Sequence, residues 1–147
     1  MNQSHPAIYV YKRIVQATLY IDTHFSEEID LGNIADEACF SKFHFLRLFK
    51  KIYGKSPHQY LTTVRMEQAK KFLEKGYSVQ DACTLSGFDS SSSFSGLFKR
   101  YTSLSPSAYQ KEYFERQELI RTSPLMFIPN CFAEQKGWKK SNFEEVI

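Results

Sequence analysis

One pattern occurs twice in this chain, and it limits the possible folds more than any other feature. Residues 31–60 read LGNIADEACFSKFHFLRLFKKIYGKSPHQY, and residues 79–109 read VQDACTLSGFDSSSSFSGLFKRYTSLSPSAY. Phe40 aligns with Phe88, Leu48-Phe49-Lys50-Lys51 with Leu97-Phe98-Lys99-Arg100, Ser56-Pro57 with Ser105-Pro106, and Tyr60 with Tyr109. One extra residue in the second copy makes up the register. Each copy of a repeat this long is one supersecondary unit. Two copies are too few for a solenoid. They make two small units on one body, a form suited to gripping something that itself repeats, as duplex DNA does once per helical turn.

Apolar spacing predicts helices throughout. Val10, Ile14, Ala17, Ile21 and Phe25 place one face on a first helix, about residues 8–24. Asp30 caps a short second helix with Leu31, Ile34, Ala35 and Ala38 inside. Cys39-Phe40 makes a turn, and Ser41 caps a third helix. There Phe45, Leu48, Phe49, Ile52 and Tyr53 form one stripe. Gly54 ends that helix. Ser56 caps and Pro57 opens a fourth, with Tyr60, Leu61, Val64, Phe72 and Leu73 on its apolar side and Gly76 at its end. The cycle then returns. Ser78 caps a short helix, Gly87-Phe88 turns, and a long helix over about 90–102 turns Phe94, Leu97, Phe98 and Tyr101 inward. Ser105-Pro106 opens a last helix to about Arg116. The expected fold class is all-α: seven helices forming two helix-turn-helix subdomains joined by a linker helix, plus an irregular C-terminal tail. The divisions are 8–56, 57–76 and 77–116, with 117–147 as an extension.

Bulk properties bound the function. The chain has 147 residues with a net charge of +3, which permits an acidic partner without requiring one. The three cysteines, Cys39, Cys83 and Cys131, match no zinc-ligand spacing. Cys39 and Cys83 lie in apolar segments and are expected to be buried, with Cys131 more exposed. The histidines are scattered, and no catalytic triad or carboxylate pair is readable, so neither catalytic nor metal-binding residues nor a cofactor are expected. The N-terminus MNQSHPAIYV lacks a leader pattern, and no apolar run approaches a membrane span. A cytoplasmic protein with no membrane partner is expected.

The outer face of the third helix carries the chemistry. With Phe45 inward and 100° per residue, Phe43, Arg47 and Lys50 point outward, with Leu46 beside them. Arg47 can donate two hydrogen bonds to a guanine edge, and Phe43 and Leu46 can touch thymine methyls. Lys50 and Lys51 suit phosphates. A plainer account makes the cations a solvated face and packs Phe43 and Leu46 on another part of the protein. The equivalent face of the second unit, Ser92, Ser95, Gly96 and Lys99, is poorer. A helix-interior glycine costs roughly 1 kcal/mol relative to Ala. Either the backbone approaches DNA closely at Gly96, or this unit supplies mostly phosphate contacts.

Three segments give a more specific likeness: LRLFKKIYGKSPHQYL from Leu46, RMEQAKKFL from Arg65, and SGFDSSSSFSGLFKRYTSLSPSAYQK from Ser86. Over about residues 8–116 the chain resembles the DNA-binding domain of the AraC/XylS family of transcription regulators. The resemblance implies two helix-turn-helix units in successive major grooves of double-stranded DNA. It implies base contacts from Phe43, Leu46, Arg47, Ser91, Ser92, Ser93 and Gly96. It implies phosphate contacts from Ser41, Lys42, His44, Lys50, Lys51, His58, Ser90, Lys99 and Arg100, and RNA polymerase as a partner. Two departures are Gly96, where the family often has a basic or amide side chain, and Ser103, which replaces a loop glycine. The tail lies outside the likeness, and no sensing domain like that of most members is expected within these residues.

Geometry agrees with a two-groove grip. A linker helix over about 57–75 spans roughly 28 Å at about 1.5 Å per residue, against about 34 Å between successive major grooves on one DNA face. Because the units differ, one monomer suffices for an asymmetric site. The alternative is a helical protein-interaction module that uses Phe43, Leu46 and the apolar tail. That tail, with Leu125, Met126, Phe127, Ile128, Phe132 and Trp138, is expected to pack on its own domain or to join two chains in a weak dimer.

Overall fold

The computed structural model describes residues 5–38 and 41–139. Those residues form α1 (His5–His24), α2 (Leu31–Glu37), α3 (Lys42–Tyr53), α4 (Pro57–Glu74), α5 (Val79–Leu85), α6 (Ser91–Thr102), α7 (Pro106–Thr122), a 3-10 turn (Pro124–Phe127) and α8 (Asn130–Gln135). No strand occurs among them. The expected Cys39-Phe40 turn lies outside the described residues.

The helix starts follow from local chemistry. Asp30 accepts from the Asn33 amide while the Asn33 side chain accepts from the Asp30 amide, and Ser56 and Gln59 make the same reciprocal box at α4. Ser78, Ser90 and Ser105 accept from the amides of Asp81, Ser93 and Ala108. Such a cap contributes about 1 kcal/mol. Ser41 corrects the expectation: it holds the N-cap position with extended backbone, but its hydroxyl makes no cap hydrogen bond. Gly54 ends α3 at φ +71, and Ser103 takes the same left-handed turn after α6 at φ +66. That conformation costs a non-glycine residue roughly 1–2 kcal/mol.

The core is double. One cluster buries Ile14, Ala17, Ile21, Ile34, Ala35, Ala38, Phe45, Phe49 and Leu61. The other buries Met66, Ala69, Leu73, Ala82, Cys83, Phe94 and Phe98. Helix α4 serves both. At 100° per residue, Leu61 and Val64 lie on one side of α4, while Met66, Ala69 and Leu73 lie roughly opposite. Aromatic pairs repeat with the sequence. Phe45–Phe49 and Phe94–Phe98 have ring centres 5.5 and 5.6 Å apart, and Tyr60 and Tyr109 meet Phe49 and Phe98 edge-on. Tyr109 also donates to Glu74 at 2.5 Å, and burial followed by this bond to the carboxylate raises its pKa.

Three expectations need correction. Ile52 and Tyr101, at equivalent places in α3 and α6, are exposed rather than inward. Each sits in the last turn at the edge of its core, where Tyr53 rather than Ile52 packs on Phe49 and Tyr60, and the Tyr101 hydroxyl meets Thr63 Oγ1 at 3.0 Å. Helix α7 runs past Arg116 to Thr122, because ERQELIRT combines good helix formers with an Arg121–Glu118 pair and needs no apolar stripe. The tail is not irregular throughout: Pro124 opens the 3-10 turn and Pro129 precedes α8, positions where a missing amide proton costs nothing.

Candidate nucleic-acid interface

Helix α3 divides cleanly. Phe45 and Phe49 are fully buried, which fixes the opposite face outward. That face carries Phe43, 81 % exposed, together with exposed Arg47, Lys50 and Lys51. The Phe43 ring is therefore open to contact from outside the domain. Leu46 differs from Phe43. It is half-buried at the side of α3, lining a shallow depression of about 350 Å³ with Ile29, Leu31, Ile34, Pro57, His58 and Leu61. Ser41, Lys42 and His44 are exposed at the start of the helix, and His58 is exposed at the start of α4. Lys42 reaches back over α2: a Cβ built on Gly32 would stand 3.0 Å from Lys42 Cε and 3.0 Å from Asp30 Oδ1.

Helix α6 repeats the division with other side chains. Phe94 and Phe98 are buried, while Ser91, Ser92, Ser93, Gly96, Lys99 and Arg100 are exposed. Ser95 is half-buried at the position equivalent to Leu46. Nothing lies within 4 Å of where a Cβ of Gly96 would be, so no intramolecular contact requires glycine there. The Ser90 hydroxyl is exposed and accepts locally. It caps the Ser93 amide at 3.5 Å and lies 2.9 Å from Ser92 Oγ. The uncapped Ser41 leaves its hydroxyl and the first-turn amides of α3 available to an outside acceptor such as a phosphate.

The charge is one-sided. Helix α3 carries Lys42, Arg47, Lys50 and Lys51 with no Asp or Glu, and α6 carries Lys99 and Arg100 with none. The ion pairs among the described residues, Lys70–Glu67, Lys111–Glu115 and Arg121–Glu118, lie on α4 and α7. Lys50, Lys51, Lys99 and Arg100 all fall in last turns, where the helix dipole favours cations even without a ligand. The Arg47 guanidinium gains nothing from that effect. Carboxylates gather elsewhere, in a cleft of about 570 Å³ between the two units that Glu27, Glu28, Asp30 and Asp89 line with Arg65. That cleft would repel a phosphate.

Among the described residues no group of three His, Cys, Asp or Glu could hold a metal ion, and no helix is long and apolar enough to cross a membrane. Cys83 is buried and donates to the Phe88 carbonyl at 3.6 Å; desolvation, with the Asp89 charge second, raises its pKa. Cys131 is exposed, and Cys39 lies outside the described residues.

Arg65 escaped the sequence reading except as part of a motif. Its signal was its place on the α4 wheel, midway between the two apolar faces.

Residues 34–112 match the family described as "Helix-turn-helix domain". Over 92 residues the chain is 35 % identical to the probable transcriptional regulator LumQ of Photobacterium leiognathi, covering 62 % of this chain and 37 % of that protein. Among solved structures, the DNA-binding domain of the global transcriptional factor AdpA, in complex with a target DNA, superposes with a TM-score of 0.68 at 32 % identity. That match covers 71 % of this chain and 96 % of that one. The C-terminal domain of AraT, a response regulator from Geobacillus stearothermophilus, superposes with a TM-score of 0.65 at 28 % identity, covering 68 % and 84 %. The chain spans about a third or less of the length of the curated relatives it matches.

Proposed function

Because this chain belongs to the AraC-type helix-turn-helix family, we propose that it is a sequence-specific regulator of transcription that places α3 and α6 in adjacent major grooves of double-stranded DNA. Carrying this is one observation: two equivalent helices each bury a Phe pair and expose an opposite face with cations and no carboxylate. Phe43, Leu46 and Arg47 read bases for the first unit. Ser91, Ser92, Ser93 and the open backbone at Gly96 approach them for the second. Ser41, Lys42, His44, Lys50, Lys51, His58, Ser90, Lys99 and Arg100 meet phosphates. The protein is a binding module and not an enzyme, as its family implies. It acts in the cytoplasm, alone or as a weak dimer through the tail, and with RNA polymerase as partner.

The test is selection of bound duplexes from random DNA, followed by titration at several salt concentrations. Neutralising the phosphates facing about three to five cations gives a slope of log affinity against log salt of about −2.7 to −4.5. A stoichiometry of one chain per site is expected. A salt-insensitive interaction would point instead to an apolar protein partner on Phe43, and failure to enrich any duplex would refute the proposal.

A further inference from the structure

Arg65 ties together elements that the repeat itself does not pair. From the seam of α4, its Nε donates to the Phe25 carbonyl at 2.7 Å, and an Nη donates to the Glu27 carbonyl at 2.8 Å. Both acceptors lie in the segment that follows α1, in the first unit. The guanidinium carbon lies 5.9 Å from the centre of the Phe88 ring, in the turn of the second unit that leads to α6. That turn is also pressed against the first unit directly. Gly87 has φ +86, and a Cβ there would stand 2.7 Å from the Phe25 carbonyl oxygen and 3.0 Å from Arg65 Nε. Only glycine permits both the angle and the approach. A planar, forked cation suits two carbonyls and a ring face at once, which a lysine cannot match. Thr63 and Tyr101 add a second tie between α4 and α6.

We propose that Arg65 and Gly87 form the joint that fixes the separation and phase of α3 and α6, so that two residues touching no base set the half-site spacing the protein accepts. The second clause rests on the DNA-binding function proposed above; the joint itself does not. Adding one base pair between half-sites moves the second by about 3.4 Å and turns it by roughly a tenth of a helical turn. A rigid pair of units cannot follow that displacement. A pair joined by α4 alone, with each core free to rock on its own side of the helix, can.

Two measurements on the whole chain test this. The first needs no DNA: residual dipolar couplings of both units are expected to fit one alignment tensor in the wild type and two different tensors in Arg65→Ala. In the second, the selected duplex is lengthened or shortened by one base pair between half-sites. Wild-type affinity is expected to fall at least about ten-fold, the cost of roughly one mismatched base pair. Arg65→Ala is expected to lose less than about three-fold from a lower starting affinity, on the same scale. Arg47→Ala, which leaves the joint intact, keeps the wild-type spacing penalty. If Arg65→Ala does not fold, Arg65→Lys decides, with intermediate behaviour expected because an ammonium cannot span the two carbonyls as a fixed fork. A folded Arg65 variant with one tensor and an undiminished spacing penalty overturns the proposal. If the wild type selects no duplex, the DNA-binding function falls, and the couplings alone decide whether the joint exists.

Discussion

Ser86 is fully buried beside the second core, and its hydroxyl has no hydrogen-bond partner. Desolvating an unpaired hydroxyl costs about 1–3 kcal/mol. Ser86→Ala is therefore expected to raise stability by about 1 kcal/mol in urea or thermal unfolding while leaving DNA affinity unchanged; a less stable variant would show that the hydroxyl is engaged. The outward residues divide into readers and holders. Arg47→Ala is expected to cost about 1–3 kcal/mol at its cognate base pair and to relax preference there. Lys99→Ala is expected to weaken all sequences alike and to reduce the salt slope by about one unit. Binding to a panel of single-base variants separates the two, and equal loss of discrimination from both would reverse the assignment. At this scale much was legible. Asp30, Ser56, Ser78 and Ser105 announce helix starts because a short polar side chain before a helix can accept from its first-turn amides. Arg65 was not legible, because its partners are main-chain carbonyls about forty residues away, which no side-chain pattern records.

Among the elements, the tail is the one whose worth is least evident from its composition. Leu125, Met126, Phe127, Phe132 and Trp138 remain 39–44 % exposed, and none joins either core cluster. The 3-10 turn packs on α7, Arg116 lies 5.6 Å from the Phe127 ring, and Phe132 meets Trp138 edge-on. A truncation after Ser123 keeps α7 whole. It is expected to leave base preference intact and to lower stability by less than about 1.5 kcal/mol, the low end for burying one large apolar side chain. Sedimentation compares association. A truncated chain that loses base preference would place the tail on DNA. The helices α3 and α6 were readable because each faces one core, so Phe45, Phe49, Phe94 and Phe98 fall on single stripes. Helix α4 was only half readable. Its two cores grip nearly opposite sides, so Met66 and Ala69 lie off the stripe that Tyr60, Leu61 and Val64 define. Ile52 and Tyr101 continue their stripes in sequence but stay exposed at the edges of their cores.

For the whole molecule, the two clusters predict one event on unfolding rather than two. Phe49→Ala in the first cluster should cost about 3–5 kcal/mol. Calorimetry of this variant is expected to show a single transition at lower temperature, with calorimetric and van't Hoff enthalpies equal; two separated transitions would show that the clusters melt independently. The reason lies in α4, whose opposite sides floor both clusters. A duplicated protein can ordinarily be cut between its copies to leave two working pieces. Here the cut has no place to fall. A fragment ending before α4 loses Leu61, one beginning after it loses Met66, Ala69 and Leu73, and two complete halves would need the helix twice. The chain is a tandem in sequence and indivisible in substance.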